Sequence, residues 1–133
     1  MPAFPALNGI AVVVAPVITF LVGGLYWVLI GPRLDRALGG TGSAPAMPGS
    51  ALVVAFATRF ILAFGMAIAV GWAAATTAGG GAVVGVLCGI AFALTIIAGQ
   101  TAFGRGTWRE YATLTPQLLI EYGLMGAILA VWR

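Results

Sequence analysis

The chain has 133 residues, 62% of them hydrophobic and 7% charged, with a formal net charge of +3 and a mean hydropathy of +1.11. Soluble domains carry about 45–50% apolar and about 25% charged residues, so this chain has too few charges to coat a water-exposed surface. The predicted fold class is all-α: an integral membrane protein with four transmembrane helices in an antiparallel bundle, forming one domain over residues 1–133.

A membrane-spanning helix needs about 20 mostly apolar residues. The first segment that qualifies covers residues 6–30. It has no basic start and its apolar run is longer than that of a signal peptide, so it is expected to be a retained helix. Pro16 is expected to kink it. Gly31-Pro32 stops it, because proline cannot continue a helix and restricts the residue before it. Residues 39–49 form a polar Gly/Pro/Ser-rich loop, predicted to be flexible. The second span covers residues 50–75, with Ser50 as a candidate N-cap. An uncharged turn at residues 76–81 leads into the third span, residues 82–103. A link with Arg105, Arg109 and Glu110 precedes the fourth span, residues 113–132. Pro116 then falls in the first turn of that helix, where its missing N–H costs little.

All six basic residues are arginines, and four of them (Arg33, Arg36, Arg105, Arg109) follow the first and third spans. Those links therefore share one side, which the positive-inside rule makes cytoplasmic, leaving both termini outside. Arg133 is the one arginine on the opposite side. Tyr26, Trp27 and Trp108 are expected as anchors at the inner interface, and Trp72 and Trp132 at the outer one. A bacterial cytoplasmic membrane is the predicted location. Arginines spread in this way do not make a nucleic-acid patch, so no nucleic-acid partner is expected.

Arg59 and Glu121 lie inside apolar runs that carry no other charge. A charge in hydrocarbon costs roughly 2.5–3.5 kcal/mol on insertion scales, so it needs a partner or a watery cavity. At 1.5 Å per residue Arg59 lies roughly 14 Å and Glu121 roughly 12 Å from the inner ends of their spans. Thr95, on the third span, comes to roughly the same 12 Å. Gln117 precedes Glu121 by one turn and shares its face. The expectation is a buried ion pair of Arg59 and Glu121, with Gln117 and Thr95 satisfying leftover groups. Four readings stay open: a structural pair, an ion or proton pathway in which Glu121 titrates, a pair completed by a partner protein, or an arginine that snorkels to the interface.

Small residues recur every four positions as Gly81, Gly85, Gly89 and Ala93 on the third span. Ala55, Ala63, Ala67, Gly71 and Ala75 do the same on the second, on the stripe that carries Arg59. Such faces let helix backbones approach closely, within the chain or between copies of it. Sharing that stripe should turn Arg59 into the bundle.

The sequence shows no catalytic set. Without histidine it lacks the commonest metal ligand, the usual proton shuttle and the usual axial haem ligand. Cys88 is the one cysteine, so no internal disulfide forms, and in an apolar run it reads as a small hydrophobe. The Gly-rich stretches lack the Gly-Lys-Ser/Thr of a phosphate cradle. Glu110 and Glu121 are roughly 17 Å apart along one helix, too far for a carboxylate dyad. No enzyme activity, metal or cofactor is expected. The leading expectation is a small non-catalytic membrane protein, an accessory or structural subunit that packs with lipids and with other subunits or its own copies. The alternative is a small oligomeric transporter of ions, protons or solutes that uses the Arg59–Glu121 pair.

Leu7-Asn8-Gly9, Gly23-Gly24-Leu25-Tyr26-Trp27 and Gly31-Pro32 frame the first span, and the run from Glu121-Tyr122-Gly123 through Met125-Gly126-Ala127 to Trp132 closes the last. Together these motifs resemble the bacterial membrane family known as domain of unknown function 1761. The resemblance implies a short four-span protein and covers nearly the whole chain. Tyr-Trp stands where the family usually has Trp-Tyr, and Gly-Pro-Arg follows in place of Gly-x-x-Trp. No activity is implied by it.

Overall fold

A computed structural model describes residues 5–43 and 46–132, and among these every regular element is a helix. Ala44, Pro45 and Arg133, which figure in the predicted loop and charge asymmetry, lie outside the described residues. The elements are α1 (Gly9–Leu29), a short α2 (Gly31–Ala37), α3 (Gly49–Trp72), α4 (Ala78–Cys88), a π-helical segment (Gly89–Leu94), α5 (Thr95–Ala102) and α6 (Trp108–Val131). Four helical stretches are long and apolar enough to cross a membrane: Gly9–Leu29, Gly49–Trp72, Ala78–Ala102 and Trp108–Val131. The chain is thus a multi-pass membrane protein.

Local chemistry explains most of the boundaries. Asn8 caps α1, its side chain accepting from the N–H groups of Ile10 and Ala11, and α1 continues unbroken past Pro16. Pro32 sits in the first turn of α2, where a missing N–H is harmless. The stretch after α2 is more ordered than its composition predicts. The Asp35 carboxylate accepts the Gly42 N–H at 2.9 Å, and Gly39 and Gly42 take the positive φ values that this reversal needs.

All four predicted starts move, the first from residue 6 to Gly9. The second span starts at Gly49 behind Pro48, so Ser50 is not its cap. The third starts at Ala78, capped by the Thr77 hydroxyl, which accepts from the Gly80 N–H. The fourth starts at Trp108, well before the apolar run. There the Thr107 side chain accepts from the Glu110 N–H while the Glu110 carboxylate accepts from the Thr107 N–H, a reciprocal capping box. Pro116 therefore lies in the helix interior, not the first turn.

Helix α6 is the hub, and it presents two faces. Gly123, Gly126 and Ala130 meet α4. A methyl added to Gly81 would strike the Gly126 carbonyl and Ala130, and one on Gly85 would strike the Tyr122 carbonyl. Small residues here bring two backbones together, so the third-span stripe is used within the chain. Gly89 continues it against the Tyr122 ring. Thr113, Gln117, Glu121, Met125 and Leu129 line the other face, all buried. Met125 and Leu129 join Ala11, Ala15, Ala63, Met66, Ala67 and Val70 in the apolar core with α1 and α3. Gly71, predicted as a helix-packing residue, instead lies against Pro5.

Candidate functional site

Three helices build the polar site. Helix α3 supplies Arg59, α6 supplies Gln117 and Glu121 one turn apart, and α1 supplies Gly23. Arg59 Nη2 donates to Glu121 Oε2 at 2.8 Å, and Gln117 Nε2 donates to Glu121 Oε1 at 2.8 Å. Both carboxylate oxygens are thus engaged, and Glu121 is 4% exposed. Gly23 covers this carboxylate: a methyl placed there would overlap Glu121 Oε1. Any side chain on α1 at this position would push the acid off its partners.

The guanidinium is held from other directions too. Nη1 donates to the Ala55 carbonyl of its own helix at 3.1 Å, and the guanidinium carbon lies 5.3 Å from the centre of the Phe20 ring. A cation over an aromatic face gains about 0.5–2 kcal/mol, more as it is desolvated. Phe20 in turn meets Phe56 edge to face at 5.2 Å, so α1 and α3 carry an aromatic contact beside the pair.

Among the described residues, two buried side-chain atoms have no hydrogen-bond partner, Arg59 Nε and Gln117 Oε1. The amide orientation of Gln117 follows from chemistry, since its N–H must face a carboxylate already paired with an arginine. Both residues line a half-open pocket of about 240 Å³ between α1, α3 and α6, whose other walls include Phe20, Gly24, Trp27 and Leu52.

Not every predicted site residue joins the cluster. Thr95 is exposed, and its hydroxyl donates to the Ala91 carbonyl at 2.6 Å and the Phe92 carbonyl at 3.2 Å. The cause is the π-helical segment just before it. A wider turn holds an extra residue, and each residue turns an α-helix by roughly 100°, so faces extrapolated from Gly81 and Gly85 are lost past Gly89. Tyr26 is not an interface anchor either. It is 4% exposed, and its hydroxyl donates to the Thr113 carbonyl of α6 at 2.6 Å. Trp27 is half-buried, its ring against Gly31, while Trp72, Trp108 and Trp132 are exposed at helix ends. Ala63 and Ala67 are buried on the Arg59 stripe.

Sequence reasoning missed the part played by α1. Ala11, Ala15, Thr19 and Gly23 recur every four residues and are all buried. This is the same small-residue signal read on the other two spans, and it marks the face that receives Glu121. A second ion pair, Arg109 Nε to Asp35 Oδ1 at 3.1 Å, joins α2 to the start of α6. It brings the two Arg-bearing links side by side.

The family model described as protein of unknown function (DUF1761) matches residues 10–130. No curated protein and no solved structure matches the chain.

Proposed function

The chain belongs to the DUF1761 family, and from that premise we propose that it is a non-catalytic, multi-pass subunit of the bacterial cytoplasmic membrane. It acts by packing, as an accessory or structural component beside larger membrane subunits or further copies of itself. One observation carries this reading: Glu121, the acid buried among α1, α3 and α6, is closed off, with both oxygens bonded and Gly23 over it. A carboxylate that relays protons or ions has to be reached by them, and this one serves as a tie between α3 and α6. Other polar side chains of the spans are also used internally. Tyr26 ties α1 to α6, and Thr19, Thr101, Thr113 and Thr115 donate to carbonyls of their own helices.

In this reading the spans run up and down as an antiparallel bundle, the α2 and 103–107 links face the cytoplasm, and both termini face out. The arginines of the two links and their Asp35–Arg109 contact support that orientation. Large side chains such as Ile10, Leu21, Val53, Ile61, Leu87 and Ile96 point outward and meet lipid or partner helices. Native mass spectrometry on protein extracted gently from its own membrane tests the reading. Stoichiometric association with other subunits, or a defined oligomer, is expected. A lone chain in mild detergent overturns it.

A second reading has its own support. The cavity beside Arg59 and Gln117 lies against the charged pair, as a solute site in a small transporter would. Flux through proteoliposomes that is lost in Glu121→Gln would favour transport; no flux of protons, cations or small solutes would remove it.

A further inference from the structure

We propose that Arg33 and Arg36 of α2 form a binding site for the phosphate of an anionic phospholipid. This goes beyond the packing role and rests only on the four spans.

The two charges are uncompensated. Arg33 and Arg36 are exposed, and neither guanidinium makes an ion pair, a hydrogen bond or a ring contact among the described residues. Their neighbour Asp35 is engaged elsewhere: Oδ1 meets Arg109, and Oδ2 accepts the Gly42 N–H. Residues three apart on a helix are neighbours, and like charges at such spacing repel. An anion between them removes the repulsion and accepts charge-assisted hydrogen bonds from both planar forks. The fold also holds one of the two in place. Side chains on a helix lean toward its N-terminus, so Arg36 leans over the turn that carries Arg33. The chain reversal pinned by Asp35 closes beside it, where a methyl on Gly42 would strike Arg36 Nε and Cγ and the Pro32 carbonyl. The stem of Arg36 thus packs against the reversal, which limits where its guanidinium can go.

Depth selects a lipid as the source of that phosphate. Helix α2 follows α1 closely, the Leu34 N–H donating to the Ile30 carbonyl at 3.0 Å. Arg33 therefore lies no more than roughly 6 Å beyond Leu29, the end of the span, and a headgroup layer is roughly 5–8 Å thick. The lean of its side chain brings Arg36 back toward that level. Val28, Leu29 and Ile30 are exposed just below and give acyl chains a surface, which a soluble phosphate would not use. Charge selects the class. A zwitterionic headgroup neutralises its phosphate with its own ammonium, whereas an anionic one brings the net charge that two unpaired arginines lack.

Arg105 supplies the comparison that tests a site on α2. It is exposed and equally unpaired among the described residues, but it lies on the other Arg-bearing link. The full chain would be placed in nanodiscs of equal phosphatidylglycerol and phosphatidylcholine, and the lipids retained on the released protein counted by native mass spectrometry. Phosphatidylglycerol is expected to be retained in about fivefold excess, the scale of one arginine at an anionic surface. Arg33→Gln and Arg36→Gln should each cut that excess at least by half, and the double variant should abolish it. Arg105→Gln removes the same charge and should leave the excess near the wild-type value. An equal loss in Arg105→Gln would mean that only the summed charge of the links matters, and it overturns the proposal. So does the absence of any excess in the wild type. Excess inorganic phosphate should not displace the bound lipid; displacement would assign the site to a soluble phosphate instead. Should the glutamine variants fail to fold, the wild type still decides. Phosphatidylglycerol with a diazirine in its acyl chain should label residues 25–34 above the other exposed segments, and even labelling of all spans overturns the proposal.

Discussion

Along the Gly123–Gly126 side of α6, the neighbouring helix is held by the absence of side chains. Gly81 and Gly85 of α4 lie directly on backbone carbonyls, with no room for a methyl group. Along the Gln117–Glu121 side, α3 is held by the Arg59–Glu121 pair and α1 by the hydrogen bond of the Tyr26 hydroxyl to the Thr113 carbonyl. The first contact is close and built from backbone and small side chains. The second is polar, looser and leaves a cavity beside it. The difference teaches where a change can be absorbed. A backbone wall cannot step aside, whereas the end of a glutamate can move, but only by giving up its partners.

The largest effects should come from breaking the polar contact on one side alone. Removing one member of a buried pair strands the other charge, which costs about 3–5 kcal/mol in soluble proteins. Arg59, with 19% of its side chain exposed, can recover some solvation, so Glu121→Ala is expected at the lower end of that range and Arg59→Ala at the upper, since it strands the more deeply buried acid. The double variant should lose less than the sum of the two. Unfolding in detergent, followed by helical signal, measures all three, and additive losses would mean that the contact at 2.8 Å does not operate in the membrane protein.

The two kinds of wall can then be compared with the same substitution. Gly85→Ala and Gly23→Ala each place a methyl on an oxygen, but the first is the Tyr122 carbonyl and the second is Glu121 Oε1. Overpacking of this kind costs about 1–3 kcal/mol. Gly85→Ala should sit at the top of that range, because α4 must move away from α6. Gly23→Ala should cost less, and most of its cost should vanish in a Glu121→Ala background, where the oxygen is gone. Persistence of the Gly23→Ala defect in that background would place the strain in the helix packing rather than in the carboxylate.

These two contacts were unequally legible in the sequence. The spans, the Arg59–Glu121 partnership and the Gly81/Gly85 face follow from rules that act over a whole helix: a lone charge in hydrocarbon needs a counter-charge, and small residues every four positions make a close face. Thr95 was misplaced because it was placed by depth alone, which does not say which way a residue faces, and the π-helical turn at Gly89–Leu94 resets the face. Tyr26 was misplaced because depth alone cannot tell a ring at the interface from one turned inward onto the Thr113 carbonyl. The early start of α6 was readable after all, from Thr107 and Glu110 at capping-box spacing, but that signal lies outside the apolar run that defined the span. The Gly23 cover over Glu121 needs the pairing of α1 with α6, which no spacing within α1 specifies.

The smallest effect should come from the ion pair that joins α2 to the start of α6. Asp35 and Arg109 meet at 3.1 Å, but 41% of the Arg109 side chain is exposed, and exposed pairs contribute about 0.2–1 kcal/mol and weaken with salt. Arg109→Ala is therefore expected to cost less than about 1 kcal/mol, with the loss shrinking further at high ionic strength. Asp35→Ala should cost more than Arg109→Ala, because the same carboxylate also accepts the Gly42 N–H and holds the chain reversal after α2. Asp35→Asn should fall between them, since an amide oxygen keeps that hydrogen bond without the charge. Unfolding of the three variants at low and high salt measures this order. If Arg109→Ala proved as damaging as Arg59→Ala, burial would not be what separates the two pairs, and the strength of the intramembrane contact would need a cause other than its exclusion from water.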